Sequence, residues 1–239
     1  MALQPWRTGT IIRIVDETPN TKRYWIQLSE LDVFDFKPGQ FVQLEFPIHE
    51  QQSKRLRSYS IASWPDGTNV FELLIVLNEA GAGTTWLFNN ATVGTEFPVR
   101  GAMGVFTLPD PIEKDLFFIC TGTGIAPFRS MAHYIKLHNL PHKNIYLLFG
   151  TRKKADLLYY DELTQLQKEL PGFHYIPTLS REEWEGRKGY VHPIYEELCS
   201  SRQEASFYLC GWKAMIDETK KRIMDMGYDK KAIHQELYG

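Results

Sequence analysis

Two short segments combine residue types that can hold a phosphorylated ring system. In Arg55-Leu56-Arg57-Ser58-Tyr59-Ser60-Ile61-Ala62-Ser63 an arginine and a tyrosine stand two residues apart. On an extended strand that spacing puts Arg57 and Tyr59 on one face. The arginine can pair with a phosphate and the tyrosine offers a flat surface to a ring. In isolation an edge strand with a polar outer face reads the same way. The second segment, Asp115-Leu-Phe-Phe-Ile-Cys-Thr-Gly-Thr-Gly-Ile-Ala-Pro127, is an apolar run entering a glycine-rich turn and then a helix. Gly122 and Gly124 let the backbone pass close to a bound group, and the helix start offers free N–H donors to a phosphate. The pattern is Gly-x-Gly-x-x-Pro rather than Gly-x-Gly-x-x-Gly, so alone it also fits a tight turn in any α/β protein. The hydroxyls of Thr121 and Thr123 beside the glycines favour a site.

Two further loops carry cations after apolar runs: Phe149-Gly150-Thr151-Arg152 and Thr178-Leu179-Ser180-Arg181-Glu182. If both runs are parallel strands, both loops project from the carboxyl edge of a sheet, where nucleotides bind. Solvated loop charge is the plain alternative. The seven histidines show no metal-ligand spacing, and no metal site is expected.

The elements that must position these residues divide the chain in two. From Arg7 to Leu108 the pattern is short strands with turn punctuation: 9–15, 23–28, 41–46, 56–62, 70–77 and 96–99, with a short helix near 85–90. Six such strands in about 100 residues favour a small antiparallel barrel or sandwich. After Pro109-Asp110-Pro111, apolar strands (116–120, 145–149, 175–179, 207–210, 233–237) alternate with helix-length segments (127–140, 157–170, 193–198, 213–226). Alternation of this kind implies a parallel sheet with right-handed crossovers. The expected architecture is a six-stranded antiparallel β-barrel over residues 1–110 and an α/β domain with a five-stranded parallel, Rossmann-like sheet over 111–239, the default site lying in a cleft between them.

Composition excludes several classes. Of the 239 residues 43% are hydrophobic and 23% charged, an ordinary globular balance. Lys plus Arg number 27 against 29 Asp plus Glu, which argues against a dedicated nucleic-acid binder. Three cysteines, Cys120, Cys199 and Cys210, are too few for a disulfide framework or a four-cysteine cluster. No run approaches the roughly 18 apolar residues of a membrane span, and the first residues show no signal-peptide design. A cytoplasmic monomer that engages neither membrane nor nucleic acid is the expectation.

Taken in order, the motifs resemble those of the ferredoxin–NADP reductase family of flavoproteins. That family's Arg-x-Tyr-Ser is matched by Arg57-Ser58-Tyr59-Ser60, and its Gly-x-x-Ser-x-x-Leu by Gly81-Ala82-Gly83-Thr84-Thr85-Trp86-Leu87, with Thr for Ser. Its Gly-Pro-x-Gly-x-Phe appears as Gly101-Ala102-Met103-Gly104-Val105-Phe106, with Ala for Pro. Its Gly-Thr-Gly-x-Ala-Pro loop is residues 122–127, and its Cys-Gly-x-x-x-Met is Cys210-Gly211-Trp212-Lys213-Ala214-Met215.

The resemblance implies an FAD site in the first half. Arg57 would contact the flavin phosphates, Tyr59 would lie on the isoalloxazine and Ser60 would reach its N5 region, with Ser58 between them among the cofactor-binding residues. Leu73, Leu74, Ile75 and Val76 would give main-chain contacts, and Ala82, Gly83 and Thr84 would cradle the pyrophosphate. In the second half Thr123 would sit between flavin and nicotinamide, with Gly124 of the same turn also cofactor-binding; Cys210 would face the nicotinamide, and Gly211 and Met215 would place its dinucleotide. Thr151, Arg152, Ser180 and Arg181 resemble a clamp on the 2′-phosphate of NADPH. The stretch Trp184–His192, in contrast, is similar to NADH-using hydroxylase reductases, so NADH is the alternative. Plant-type relatives end in Glu-x-Tyr. Glu236 and Tyr238 match, with Gly239 extending the chain by one. Ser60, Cys210, Glu236 and Tyr238 are therefore the expected catalytic group.

The function implied is hydride transfer between NADPH and FAD, with single electrons passed to a ferredoxin or flavodoxin-like carrier. The alternatives are an NADH-dependent reductase component serving an oxygenase or hydroxylase, a free-flavin reductase, and, in a different class, a non-catalytic binding module on the same fold.

Overall fold

The computed structural model describes residues 4–237, and these fall into two compact units. The first takes in the chain to Thr107 together with Arg129–Tyr134; the second takes in the remainder.

The first unit is built from β1 (Trp6–Thr18), β2 (Thr21–Gln27), β3 (Phe41–Glu45), β4 (Leu56–Ser60), β5 (Val70–Val76), helix α1 (Ala82–Asn90) and β6 (Glu96–Met103). The strands form one antiparallel sheet in the order β4-β3-β6-β1-β2-β5. Its two edge strands meet through an Ile61–Leu73 bridge and an Ala62 N–H to Glu72 carbonyl bond of 2.8 Å, which closes the sheet into the expected barrel. Alternation sets the core: Val42 and Leu44 of β3 and Tyr24 and Ile26 of β2 are buried while the residues between them are not. Helix α1 sends Leu87 into that core and stacks Trp86 on Phe46 with ring centroids 5.2 Å apart. The helix begins at Ala82, three residues before the sequence pattern places it, because the glycines around Ala82 read as loop.

The second unit contains β7 (Asp115–Thr121), α2 (Ala126–Leu137, apart from the turns grouped with the first unit), β8 (Ile145–Thr151), α3 (Tyr160–Glu169), β9 (Phe173–Leu179), β10 (Arg187–Lys188), α4 (His192–Leu198), β11 (Ala205–Gly211), α5 (Lys213–Asp225) and β12 (Ile233–Leu237). All strands are parallel, in the order β10-β9-β8-β7-β11-β12. Leu116–Cys120 of β7 is wholly buried, as a strand covered on both faces must be. Each such side chain contributes roughly 1.5–3 kcal/mol by leaving water.

The sheet has six strands rather than the five read from sequence. The extra one is β10, two exposed cationic residues pairing Arg187 with Thr178 and Lys188 with Leu179, too short and too polar to show an apolar pattern. No helix among the described residues is long and apolar enough to cross a membrane.

Candidate functional site

In the first unit, register fixes where the Arg57–Ser60 side chains go. Tyr59 lies opposite Val42 and Arg57 opposite Leu44, so both share the face of these core residues, while Ser58 pairs with Gln43 and is exposed. Tyr59 packs against the core, and burial raises its phenol above the ordinary range and keeps it neutral. Ser60 is buried at the end of β4.

The Arg57 stem crosses the start of α1. A Cβ placed on Gly83 would come within 2.9 Å of Arg57 Cγ, so only glycine admits the arginine there. Arg57 Nη1 donates to the carbonyls of Lys54 (3.0 Å) and Leu56 (2.7 Å), which holds the guanidinium in place. Among the described residues no carboxylate pairs with it, and the first turn of α1 holds no acid. A cation fixed beside a helix start with open N–H groups is the electrostatic form of a phosphate site. Thr84, by contrast, spends its hydroxyl on the turn. Its Oγ1 donates to the carbonyl of Asn78 or Gly81 and accepts from the Asn78 N–H. Leu73, Leu74 and Ile75 bury their side chains and Val76 is exposed; among the described residues β2 alone pairs with 74–76, which leaves their other backbone edge open.

In the second unit the order of strands reverses between β7 and β11, the position where open α/β sheets bind ligands. Register puts Cys120, Cys210 and Glu236 in one row across β7, β11 and β12. Immediately beyond the row, Gly211 adopts φ +129°, and a Cβ there would lie 2.5 Å from Thr121 Oγ1; that same oxygen accepts the Trp212 N–H at 3.1 Å. Gly124 is buried at the entry to α2, and Thr123 is half-buried beside it. Cys210 is fully buried at this row, as is Cys120, whose thiol burial pushes well up, with Cys210 adding to the shift. Met215 packs into the core against α5's own sheet, so its part in a site runs through the seating of that helix. Tyr238 lies outside the described residues.

The two cationic loops are zipped together. Ser180 N–H and Oγ both reach the Thr151 carbonyl (3.0 and 3.2 Å), and the Arg181 N–H donates to the Arg152 carbonyl (3.0 Å). Arg152 and Arg181 are thereby held as exposed neighbours, and among the described residues neither has a carboxylate partner. Their loop neighbours differ: Arg187 makes a bidentate pair with Glu197 (2.9 and 3.1 Å), Lys188 pairs with Glu183, and Lys154 with Glu185.

One buried group escaped the sequence reading. Within the first unit Arg129 donates to Ala62 O (2.9 Å) and Glu72 Oε2 (3.1 Å), and Arg23 reaches both oxygens of Glu72 (2.6 and 3.1 Å). The available signal was a lone carboxylate inside the apolar run Phe71–Ile75.

Residues 9–108 match an oxidoreductase FAD-binding domain and residues 118–221 an oxidoreductase NAD-binding domain. Ferredoxin–NADP reductase B of Sorangium cellulosum is 31% identical, with 92% of this chain and 93% of that protein covered. Phenol hydroxylase P5 protein of Acinetobacter pittii is 30% identical over 96% of this chain, which spans 65% of that protein's length. The crystal structure of a ferredoxin NADP+ reductase from Neisseria gonorrhoeae with bound FAD and NADP superposes with a TM-score of 0.81 at 26% identity, covering 98% of this chain and 99% of that one.

Proposed function

The chain belongs to the ferredoxin–NADP reductase family of NAD(P)H-dependent flavoprotein oxidoreductases, and from that premise we propose that it transfers a hydride between NADPH and FAD and passes single electrons to a ferredoxin or flavodoxin-like carrier. The observation that carries the NADPH half is the pair of adjacent arginines, Arg152 and Arg181, with no protein partner among the described residues. Two cations held side by side in one backbone ladder repel until an anion joins them, and a 2′-phosphate is such an anion.

The residues present fit a flavin. Arg57 and the first turn of α1 would take the pyrophosphate, and Tyr59 would cover the ring system as a neutral phenol. The open edge of Leu74–Val76 would offer backbone donors and acceptors. When bound, the flavin supplies two-electron chemistry toward a nicotinamide and one-electron chemistry toward a carrier. The protein's part is to bind and orient. Gly211 and Thr121 shape the place for a nicotinamide at the strand reversal, with Thr123 and Gly124 at the turn above it. Cys210 contributes a buried neighbour, and Glu236, in register with it, a carboxylate to orient the amide and balance charge. Ser60 would approach the flavin ring from β4.

A second reading, a reductase component that serves an oxygenase, draws support from the likeness to phenol hydroxylase P5 protein and from the Trp184–His192 stretch, whose Arg187 and Lys188 are already paired within the protein. Lys153 and the Lys220-Lys221 pair lie exposed or half-exposed and could form a basic rim for an acidic carrier.

The deciding experiment compares reduction of ferredoxin, flavodoxin, cytochrome c and free flavin by the purified protein with NADPH and with NADH. Alongside it, Arg57→Ala should weaken FAD binding by roughly 10- to 100-fold, the loss of a charge-assisted phosphate partner worth about 1.5–3 kcal/mol. Wild-type FAD affinity in that variant would remove Arg57 from the site. Reduction of free flavin in preference to every protein carrier would replace the carrier reading.

A further inference from the structure

The barrel closes where the chain leaving β4 meets β5, and one buried carboxylate, Glu72, sits on that seam. Its backbone holds the seam directly. The Glu72 carbonyl accepts the Ala62 N–H at 2.8 Å, and the Glu72 N–H donates to Ser63 Oγ at 2.9 Å. Its side chain takes Arg23 and Arg129. Arg129 lies on α2, in the turns that belong to the first unit, and it returns to the same seam. Its Nη1 donates both to Glu72 Oε2 (3.1 Å) and to the Ala62 carbonyl (2.9 Å). The guanidinium stands 5.2 Å from the Trp64 ring, which is itself stacked on His133. Ala62 therefore has its N–H and its carbonyl fixed by the two members of one ion pair.

Stability alone does not call for this construction. Packed apolar side chains often replace a buried ion pair at no loss of stability, and the neighbours Ile61, Ala62, Phe71 and Leu73 are already apolar and fully buried. What sets the pair apart is what it adjoins. Ser60 ends β4 two residues before Ala62, and the segment Leu74–Val76 begins two residues after Glu72. Among the described residues that segment keeps one backbone edge open. These are two of the segments that the flavin reading places at the ring system. Each is continuous with a residue that the Arg129–Glu72 pair holds. A misplacement of about 1 Å in a reacting group can cost roughly a hundredfold in rate.

We propose that Arg129 is a positioning residue for hydride transfer: through Glu72 and the Ala62 carbonyl it sets the spacing of Ser60 and the Leu74–Val76 edge around the flavin ring. The inference rests on the flavin reading above and concerns residues that themselves need not touch the cofactor.

The test uses the full chain with FAD bound, at a temperature where far-ultraviolet circular dichroism shows each variant folded. Arg129→Met and Glu72→Gln break the same contact with opposite changes of charge. A positioning role predicts one result for both. In anaerobic stopped flow the limiting rate of flavin reduction, by whichever reduced nicotinamide nucleotide the wild type prefers, should fall at least tenfold. The nucleotide concentration giving half that rate should stay within threefold, and the visible circular dichroism of the bound flavin should change alike in both. Arg129→Lys should recover most of the rate, because a single nitrogen makes both contacts. Rates that move in opposite directions would show that the pair acts through its charge. A wild-type rate and flavin spectrum in both variants would leave it a purely structural pair. Either result overturns the proposal and leaves the flavin reading intact. If neither variant folds, Glu72→Asp, which keeps the charge but draws it back by one methylene, is held to the same rate and spectral criteria. A wild-type chain that binds no flavin overturns both readings.

Discussion

In the first unit Arg129 and Arg23 converge on a single carboxylate, Glu72, whereas in the second Arg152 and Arg181 lie side by side with no carboxylate partner among the described residues. The contrast follows burial. The Arg129 and Glu72 side chains are 4% and 3% exposed, and a charge removed from water without a partner costs several kcal/mol. Arg152 and Arg181 are exposed, where water and salt screen their repulsion. A cation already paired holds the fold, and a cation built next to another and left unpaired is available to a ligand. Arg57 stands between these cases: its guanidinium is fixed by two backbone carbonyls, yet its charge is not neutralised by any described carboxylate.

The largest effect that distinguishes the two classes should come from Arg129→Ala. It removes the Arg129 cation from Glu72, which keeps its Arg23 contact, and takes a donor from the Ala62 carbonyl; losing one partner of a buried ion pair typically costs about 3–5 kcal/mol. Retention of Arg23 favours the lower end of that range. Chemical denaturation followed by fluorescence measures it, with Glu72→Gln as the companion variant. A loss below about 1 kcal/mol, the size seen for surface pairs, would place Arg129 with the exposed cations and end the comparison.

On the other side stands Arg181→Ala. Stability should hardly move, since among the described residues no carboxylate pairs with its guanidinium and would be orphaned. The efficiency kcat/KM with NADPH should fall about 10- to 100-fold, matching about 1.5–3 kcal/mol for one charge-assisted hydrogen bond, and NADH should be nearly unaffected because it lacks the 2′-phosphate. Equal losses for both nucleotides, or a wild type that already prefers NADH, would refute the clamp. Arg187→Ala sharpens the test, because its bidentate pairing with Glu197 predicts a far smaller NADPH effect.

How much of this was legible beforehand depends on whether a residue's role is local. The strands of both units were readable because alternation and continuous apolar runs are local signals: β3 alternates and β7 is buried throughout. The zipping of Thr151–Arg152 onto Ser180–Arg181 could be anticipated, since two loops leaving neighbouring parallel strands must emerge together. The Arg129–Glu72 contact could not. It joins positions 57 residues apart, and nothing near Arg129 in α2 says which carboxylate it meets. Strand β10 was missed because two residues carry no period. The row Cys120–Cys210–Glu236 was only half legible: each residue ended or lined a strand, but their alignment depends on the register of three strands.

The smallest expected effect concerns a polar group that belongs to neither class. His192, at the start of α4, is buried. Its Nε2 lies 3.3 Å from Glu218 Oε2, and its Nδ1 lies 3.0 Å from the Tyr195 hydroxyl and 3.3 Å from Thr219 Oγ1. With the hydrogen on Nε2, the neutral ring donates to Glu218 and accepts at Nδ1 from the Tyr195 hydroxyl, while Thr219 Oγ1 donates to Met215 Sδ. Burial lowers the His192 pKa most strongly, and nearby Arg222 lowers it further, against the opposing pull of Glu218 and Glu196. A histidine whose folded pKa lies below its unfolded value of about 6.5 binds its proton more readily when the chain is unfolded. Stability is therefore retained above about pH 6.5 and declines as pH falls from there toward the folded pKa. Glu218 acts in a separate, more acidic window: Arg222, as its hydrogen-bond partner, and His192 lower its pKa, so its contribution is present above the ordinary carboxylate range and is lost as pH falls below it. Between pH 7 and pH 5.5 the unfolding midpoint of the wild type should thus drop, while His192→Gln, which keeps a neutral polar side chain, should show a flatter profile. Parallel profiles for the two proteins would mean that the buried imidazole titrates no differently in the folded and unfolded chain, and that this cluster only packs α4 against α5.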